Sequence, residues 1–385
     1  MKRPHQIRKQ DLPIKFRPMA QTLDEILPLI TLCASGKLYE VEEWITEGKP
    51  IQCVPSEDPR WRKLSTPIQI AADRGFHSLA ALLLVNGYDP NGDDESPLSS
   101  PVRSRNHSMV SLLLEYGTDP CGFDFCDALE TYDRALMDRL IALGANPCLE
   151  NAVARALRHK ARPLLGFVKS YREQFPCMQR QIDIALNCAV NRGDQRGVAL
   201  MLWLGGNPHA QVPCSPYPED EEHELGCLES PFERSLWMSR ESTLEMLLKK
   251  PIPADQTDYL LRKVSHRGLP AVVNRLLKDG ANPIQVDEEG WNILDGFISS
   301  LTYRWRISAN DTDERGIEAL KIILEAGAKW LHPQPDIPQL RRKLLHCTSG
   351  TLKRIIELLK ENKVLSEVQF HDLTRTPRMK DLLSK

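Results

Sequence analysis

The chain has 385 residues, well beyond the roughly 250 at which one hydrophobic core stops growing, so it is expected to form several domains or a repeat array. Its 41% hydrophobic, 26% charged and only 6% aromatic content supports a helical core and argues against a β-sandwich or propeller. The longest apolar runs, such as residues 79–85, fall far short of the roughly 20 residues a membrane span needs, and the formal net charge is only −2.

That small charge hides an uneven distribution. Residues 1–19 carry six Lys/Arg against Asp11, and residues 341–385 carry eleven against five acids, which leaves 33 basic and 46 acidic residues, a net of −13, between 20 and 340. Such a body repels nucleic acid over most of its surface. The first 28 residues are read as a basic N-terminal arm. Pro4, Pro13 and Pro18 interrupt it and it has no apolar stretch of the kind a secretory leader carries, so a cytoplasmic location is expected. The ten cysteines are scattered rather than spaced as a framework and read as reduced thiols.

From residue 29 onward one phrase recurs: Gly87-Tyr-Asp-Pro90, Gly117-Thr-Asp-Pro120, Gly144-Ala-Asn-Pro147, Gly205-Gly-Asn-Pro208 and Gly280-Ala-Asn-Pro283, with weaker copies at Gly48 and Gly327. Successive glycines stand 39, 30, 27, 61, 75 and 47 residues apart, a period near thirty with some double-length intervals. Apolar residues stand three, four and seven positions before each glycine, for example Leu84, Leu83 and Ala80, or Leu277, Leu276 and Val273. That spacing is one face of a helix. A glycine in the left-handed conformation releases its last carbonyls at low steric cost, and the proline beyond prevents continuation. A shorter apolar stretch precedes each of these helices, introduced by Thr66-Pro67, Ser96-Pro97 or Ser230-Pro231, where the hydroxyl caps free N–H groups and proline occupies the first turn.

A unit of turn, short helix, second helix and glycine stop resembles the ankyrin repeat, most closely over Thr66 to Asn91 through Thr66, Pro67, Ala71, Ala72, Gly75, Leu83, Leu84, Gly87, Asp89 and Pro90. The resemblance decays outward to cover residues 29–339, about nine units, with 340–385 as a helical C-terminal cap. It implies an all-α, ankyrin-like solenoid of stacked helix-turn-helix repeats, each burying its apolar faces against its neighbours. The family's fourth-position histidine is absent; Gln69, Ser99 and Glu233 stand there, so neighbouring turns are expected to be held by packing. The stretch from Asn151 to Phe175 lacks the glycine stop, and near Pro251 the register rests on Leu244, Leu247 and Leu248, so irregular stacking is expected at both.

Three intervals exceed the period, near residues 49–64, 209–229 and 302–315. The first two fall between a glycine stop and the next first helix, which in the resembled fold is the finger edge beside the concave groove. The first carries Arg60, Trp61 and Arg62, residue types enriched at the energetic centres of interfaces; the second carries Tyr217 and the acidic run Glu219, Asp220, Glu221 and Glu222. With Tyr88, Asp93, Asp94 and Phe123 between them, these form the expected partner-binding face. A tryptophan covering the stack edge and a solvated acidic loop are the plainer readings of the same residues. In the third interval Trp305 follows Phe297 and Leu301 at steps of four and is expected in the core.

No phosphate loop, nucleophile elbow or HExxH occurs. His209, Cys214, His223 and Cys227 have the types of a tetrahedral zinc site but an unfamiliar spacing, so no metal and no other cofactor is expected. Cys121 and Cys126 flank Phe123 and Phe125 and read as an apolar linker. The basic C-terminus reads as the solvated face of the cap and as the one place for a nucleic-acid contact. The functional expectation is a non-catalytic protein-binding scaffold without membrane contact. An inhibitor or immunity-type protein occluding a basic enzyme such as a nuclease, and a metal-dependent enzyme using the 209–227 insert, are the alternatives.

Overall fold

The capping signals act as their chemistry requires. Thr66 accepts from the Gln69 amide while the Gln69 side chain accepts from Thr66 N–H at 2.8 Å, and Ser230 and Glu233 repeat the exchange at 3.1 and 2.9 Å. In both places the following proline occupies the first helical turn. Ser96-Pro97 differs: Pro97 lies in a turn and the helix beyond spans only Ser99–Arg103. Every recurrent glycine stop, Gly48 to Gly327, takes positive φ between +76° and +116°.

The computed structural model describes residues 18–54, 60, 64–92, 95–217, 228–238, 241–286, 292–302, 309–330 and 335–384. Among these the regular structure is helical, joined by three isolated β-bridges, and the architecture is an all-α, ankyrin-like stack of helix-turn-helix repeats. Packing divides it into two units, one running to Ala185 together with Pro216 and Tyr217, the other comprising Leu186–Ser215 and the described residues from Leu228 onward.

In the first unit the helices are α1 (Leu23–Ala34), α2 (Leu38–Thr46), α3 (Pro67–Asp73), α4 (His77–Val85), α5 (Ser99–Arg103), α6 (His107–Glu115), α7 (Phe125–Thr131), α8 (Arg134–Ala142) and α9 (Ala152–Tyr171). First helices stack on first helices, α1 on α3, α3 on α5, α5 on α7 and α7 on α9, while α2, α4 and α6 do the same behind them. Helix α1 begins inside the stretch expected as an N-terminal arm, and Ala20 bonds Gln52 and Val54 through the backbone, so residues 18–28 belong to the first repeat. The register read from the glycines holds: the residues four and seven positions before the stops at Gly87, Gly117 and Gly144 are all buried. Where no glycine stop exists, α9 runs unbroken for 20 residues with Pro163 inside it. It is entered through Glu150 and Asn151, both in left-handed backbone.

The unit boundary falls within α10 (Cys177–Arg192). Beyond it come α11 (Gln195–Trp203), α12 (Pro231–Trp237), α13 (Glu241–Leu247), α14 (Thr257–Ser265), α15 (Pro270–Lys278), α16 (Ile293–Thr302), α17 (Ala309–Glu325), α18 (Ile337–Leu344), α19 (Ser349–Glu361), α20 (Glu367–Thr374) and α21 (Pro377–Ser384). Helices α12, α14, α16, α18 and α20 stack in series, as do α15, α17, α19 and α21. The expected C-terminal cap is therefore two further helix pairs in the same series. Part of the third interval, from Ala309, is the first turns of α17. Phe297 and Leu301 are buried as expected; Trp305 lies outside the described residues.

One expectation about the turns is overturned at two places. Gln69 donates to the Glu95 carbonyl at 2.9 Å, and Glu233 accepts from the Tyr259 hydroxyl on the next first helix, so at these two fourth positions the side chain does bridge neighbouring repeats. Elsewhere amides act the same way. Gln52 both donates to the Asp89 carbonyl and accepts from its N–H, at 3.0 and 3.1 Å, and Asn91 brackets Gly117 and Asp119 at 2.9 and 2.7 Å. A second correction concerns the thiols: Cys148 and Cys177 are joined in a disulfide across 29 residues, while the other described cysteines are outside any disulfide.

Candidate functional site

Trp61, Arg62, Asp93, Asp94, Glu219, Asp220, Glu221 and Glu222 lie outside the described residues, as do His223 and Cys227 of the zinc alternative. The remaining predicted positions do not form one surface. Tyr88 and Phe123 are each 3% exposed, so both belong to the core and neither is available to a partner; their rings supply the apolar packing that a turn between repeats needs. Phe123 meets Phe125 edge-on at 6.1 Å; the apolar-linker reading holds only in part, since Cys126 is buried but belongs with Phe125 to the first turn of α7, while Cys121 is exposed and donates to the Gly144 carbonyl. Arg60 pairs with Asp24, at the start of α1, at 3.1 Å. Tyr217 lies against α9, its ring 5.1 Å from the Arg158 guanidinium and its hydroxyl 3.4 Å from His159 Nε2. Helices α1 and α9 are four packing steps apart, and at roughly 8–10 Å per step a partner touching both must be large.

The second insert is fixed at its base. Val212 and Glu229 exchange backbone hydrogen bonds at 3.3 Å, and the fully buried Asn187 of α10 donates to both of their carbonyls at 3.0 Å. Arg234 pairs with Glu229 at 3.3 Å and donates to the buried Cys214 sulfur at 3.4 Å. His209 is 4% exposed and lies 5.4 Å from the Phe232 ring. Burial holds its pKa below the ordinary imidazole value, against the opposing pulls of the Pro251 backbone and then of the Glu233 carboxylate. Among the described residues no group of three His, Cys, Asp or Glu is arranged to hold a metal, and no helix is long and apolar enough to cross a membrane.

A recess lies in the second unit, on the face of the first helices α12 and α14. It has a volume of about 470 Å³ and is lined by Glu233, Leu236, Trp237, Tyr259, Arg262, Lys263, His266 and Arg267. Leu260, Leu261 and Val264 turn the apolar side of α14 into the stack, which leaves Tyr259, Arg262, Lys263 and His266 on the other side at helical spacing. Trp237 is 54% exposed and Tyr259 39%. The Arg267 guanidinium lies 4.5 Å from the Trp237 ring centre and the Lys263 ammonium 5.3 Å from that of Tyr259, so each cation rests on an aromatic face.

Glu233 sits at the inner wall of this groove, 5% exposed, accepting from Ser230 N–H, Ser230 Oγ, Gln211 and Tyr259. Burial raises its pKa, but these hydrogen bonds prevail and hold it below the usual carboxylate value. Burial, with the Glu233 carboxylate beside it, pushes the Tyr259 phenol up to about 12. His266 is held below the ordinary imidazole value by desolvation and then by the nearby Arg267, Lys343 and Lys263 charges. The sequence reading passed over Trp237, Tyr259, Arg262, Lys263 and Arg267. Tyr259, Arg262 and Lys263 form a polar, aromatic stripe opposite the apolar face of α14, while Trp237 ends α12 and Arg267 follows α14; all five lie within the repeat register rather than in an insertion.

No family model and no curated protein matches this chain. Among solved structures it is similar to the human ASB11 ankyrin repeat domain at 19% identity, covering 77% of this chain and 97% of that one, with a TM-score of 0.25. The superposition is too loose for the likeness to bear on the site.

Proposed function

We propose that the chain is a non-catalytic protein-binding scaffold whose second unit offers the groove between α12 and α14 to a partner. The observation that carries the reading is the placement of two exposed aromatic rings, Trp237 and Tyr259, on successive first helices, each backed by a cation. Tryptophan, tyrosine and arginine are the residue types that dominate interface energetics, and a rigid helix face presents them without requiring a reactive group. Affinity capture from the native cell tests it. The full chain should retain one or more proteins that Trp237→Ala loses, with Trp61→Ala run in parallel to weigh the first insert. Capture identical for wild type and both variants would refute this placement.

The narrower reading, an inhibitor occluding one basic enzyme, draws on the net charge of −13 between residues 20 and 340. A single partner of high affinity whose binding weakens steeply with salt supports it, whereas several weak partners support an adaptor.

A further inference from the structure

The groove between α12 and α14 has the opposite sign to the body of the chain. Arg262, Lys263 and Arg267 line it, His266 stands among them, and Lys343 is close enough to oppose protonation of that imidazole. Among the described residues that line the groove the carboxylate is that of Glu233, with Glu229 acting on Tyr259 from beyond the lining. The Glu233 oxygens already accept from Ser230, Gln211 and Tyr259, so a basic guest would meet three or four cations and a carboxylate that is already engaged.

Building on the scaffold reading, we propose that the groove binds an acidic, extended polypeptide segment, with one apolar side chain between the Trp237 and Tyr259 rings and flanking Asp or Glu carboxylates on Arg262, Lys263 and Arg267. Charge complementarity selects the sign of the guest. The stacking of Arg267 on Trp237 and of Lys263 on Tyr259 holds two long side chains in place before binding, which lowers the ordering cost. A volume of about 470 Å³ accommodates a short run of side chains rather than a folded domain. A nucleic-acid strand fits less well, because its unbroken line of phosphates would run past Glu233 and along a strongly acidic body.

The test uses the full chain and a fluorescein-labelled peptide of alternating Glu and Asp around a central Leu, followed by anisotropy. Matched peptides carrying Gln or Lys in place of the acids, and an oligothymidylate, serve as competitors. The acidic peptide should bind saturably and at least about tenfold more tightly than either matched peptide, and Arg262→Glu with Lys263→Glu should weaken it by about tenfold or more. Arg354→Glu, an exposed charge on α19, should leave it unchanged. Trp237→Ala should weaken the Leu peptide but not a version with Ser at its centre. Circular dichroism confirms that each variant folds. Equal binding of all peptides, preference for oligothymidylate, equal loss in Arg354→Glu, or a Trp237-dependent dimer in sedimentation would each overturn the proposal. If the acidic peptide fails while cellular capture remains sensitive to Trp237→Ala, the scaffold reading stands and the acidic class falls. If both fail, both fall.

Discussion

Glu233 shows how much one buried charge can organise. It closes the cap of its own helix through Ser230, reaches Gln211 at the base of the second insert and accepts from Tyr259 on the next repeat. Glu233→Ala should therefore cost about 2–4 kcal/mol of stability in urea denaturation, since it leaves several buried donors unpaired, and Glu233→Gln should cost less. Its sequence position was read as a missing bridge because histidine was absent; a carboxylate and, at Gln69, an amide supply the bridge by different chemistry. His209 carries a pH signature. Because its folded pKa lies below the unfolded value of about 6.5, the unfolded chain takes up the proton first. Stability is thus fully present above about pH 6.5 and declines as pH falls toward the folded pKa. Denaturation midpoints measured from pH 7.5 to 5 should fall, and His209→Gln should flatten the slope.

At the scale of helices, close approach decides the geometry of the groove wall. A Cβ on Gly296 in α16 would lie 2.2 Å from Ser265 Oγ and 2.9 Å from Ser265 Cβ on α14, so α14 sits where it does because that residue has no side chain. Gly296→Ala should cost about 1–3 kcal/mol, and Ser265→Ala in the same chain should restore part of it, because the oxygen clash goes while the carbon contact stays; urea denaturation of the three variants checks this. The helices of the array were legible because leucine spacing and glycine stops are local signals, and the buried positions four and seven before the stops from Gly87 to Gly327 confirm them. Two elements were less legible. Helix α9 runs as one long rod because no residue between Ala152 and Tyr171 takes the left-handed backbone of a glycine stop, even with Pro163 inside it, and residues from Ala309 extend α17 rather than form a loop. Tyr88 and Phe123 were misassigned for a related reason: an aromatic beside a turn looks exposed in sequence, whereas here the neighbouring repeat covers it.

Across the whole molecule, the two units differ in how they are secured. The first contains the Cys148–Cys177 disulfide, which closes a loop of 29 residues and by chain-entropy arguments adds about 3–4 kcal/mol. A reductant should lower the melting temperature of the wild type and leave the Cys148→Ser/Cys177→Ser double variant unaffected; alkylation of the denatured, unreduced chain should find this pair protected. Scattered cysteines gave no hint of the bond, because pairing depends on which turns the stack brings together. In the second unit Asn187 donates to the carbonyls of both Val212 and Glu229, and these two residues bond each other through the backbone. Asn187 is consequently a single stitch between two points that lie well apart in the sequence, and cutting it by Asn187→Ala should lower the melting temperature.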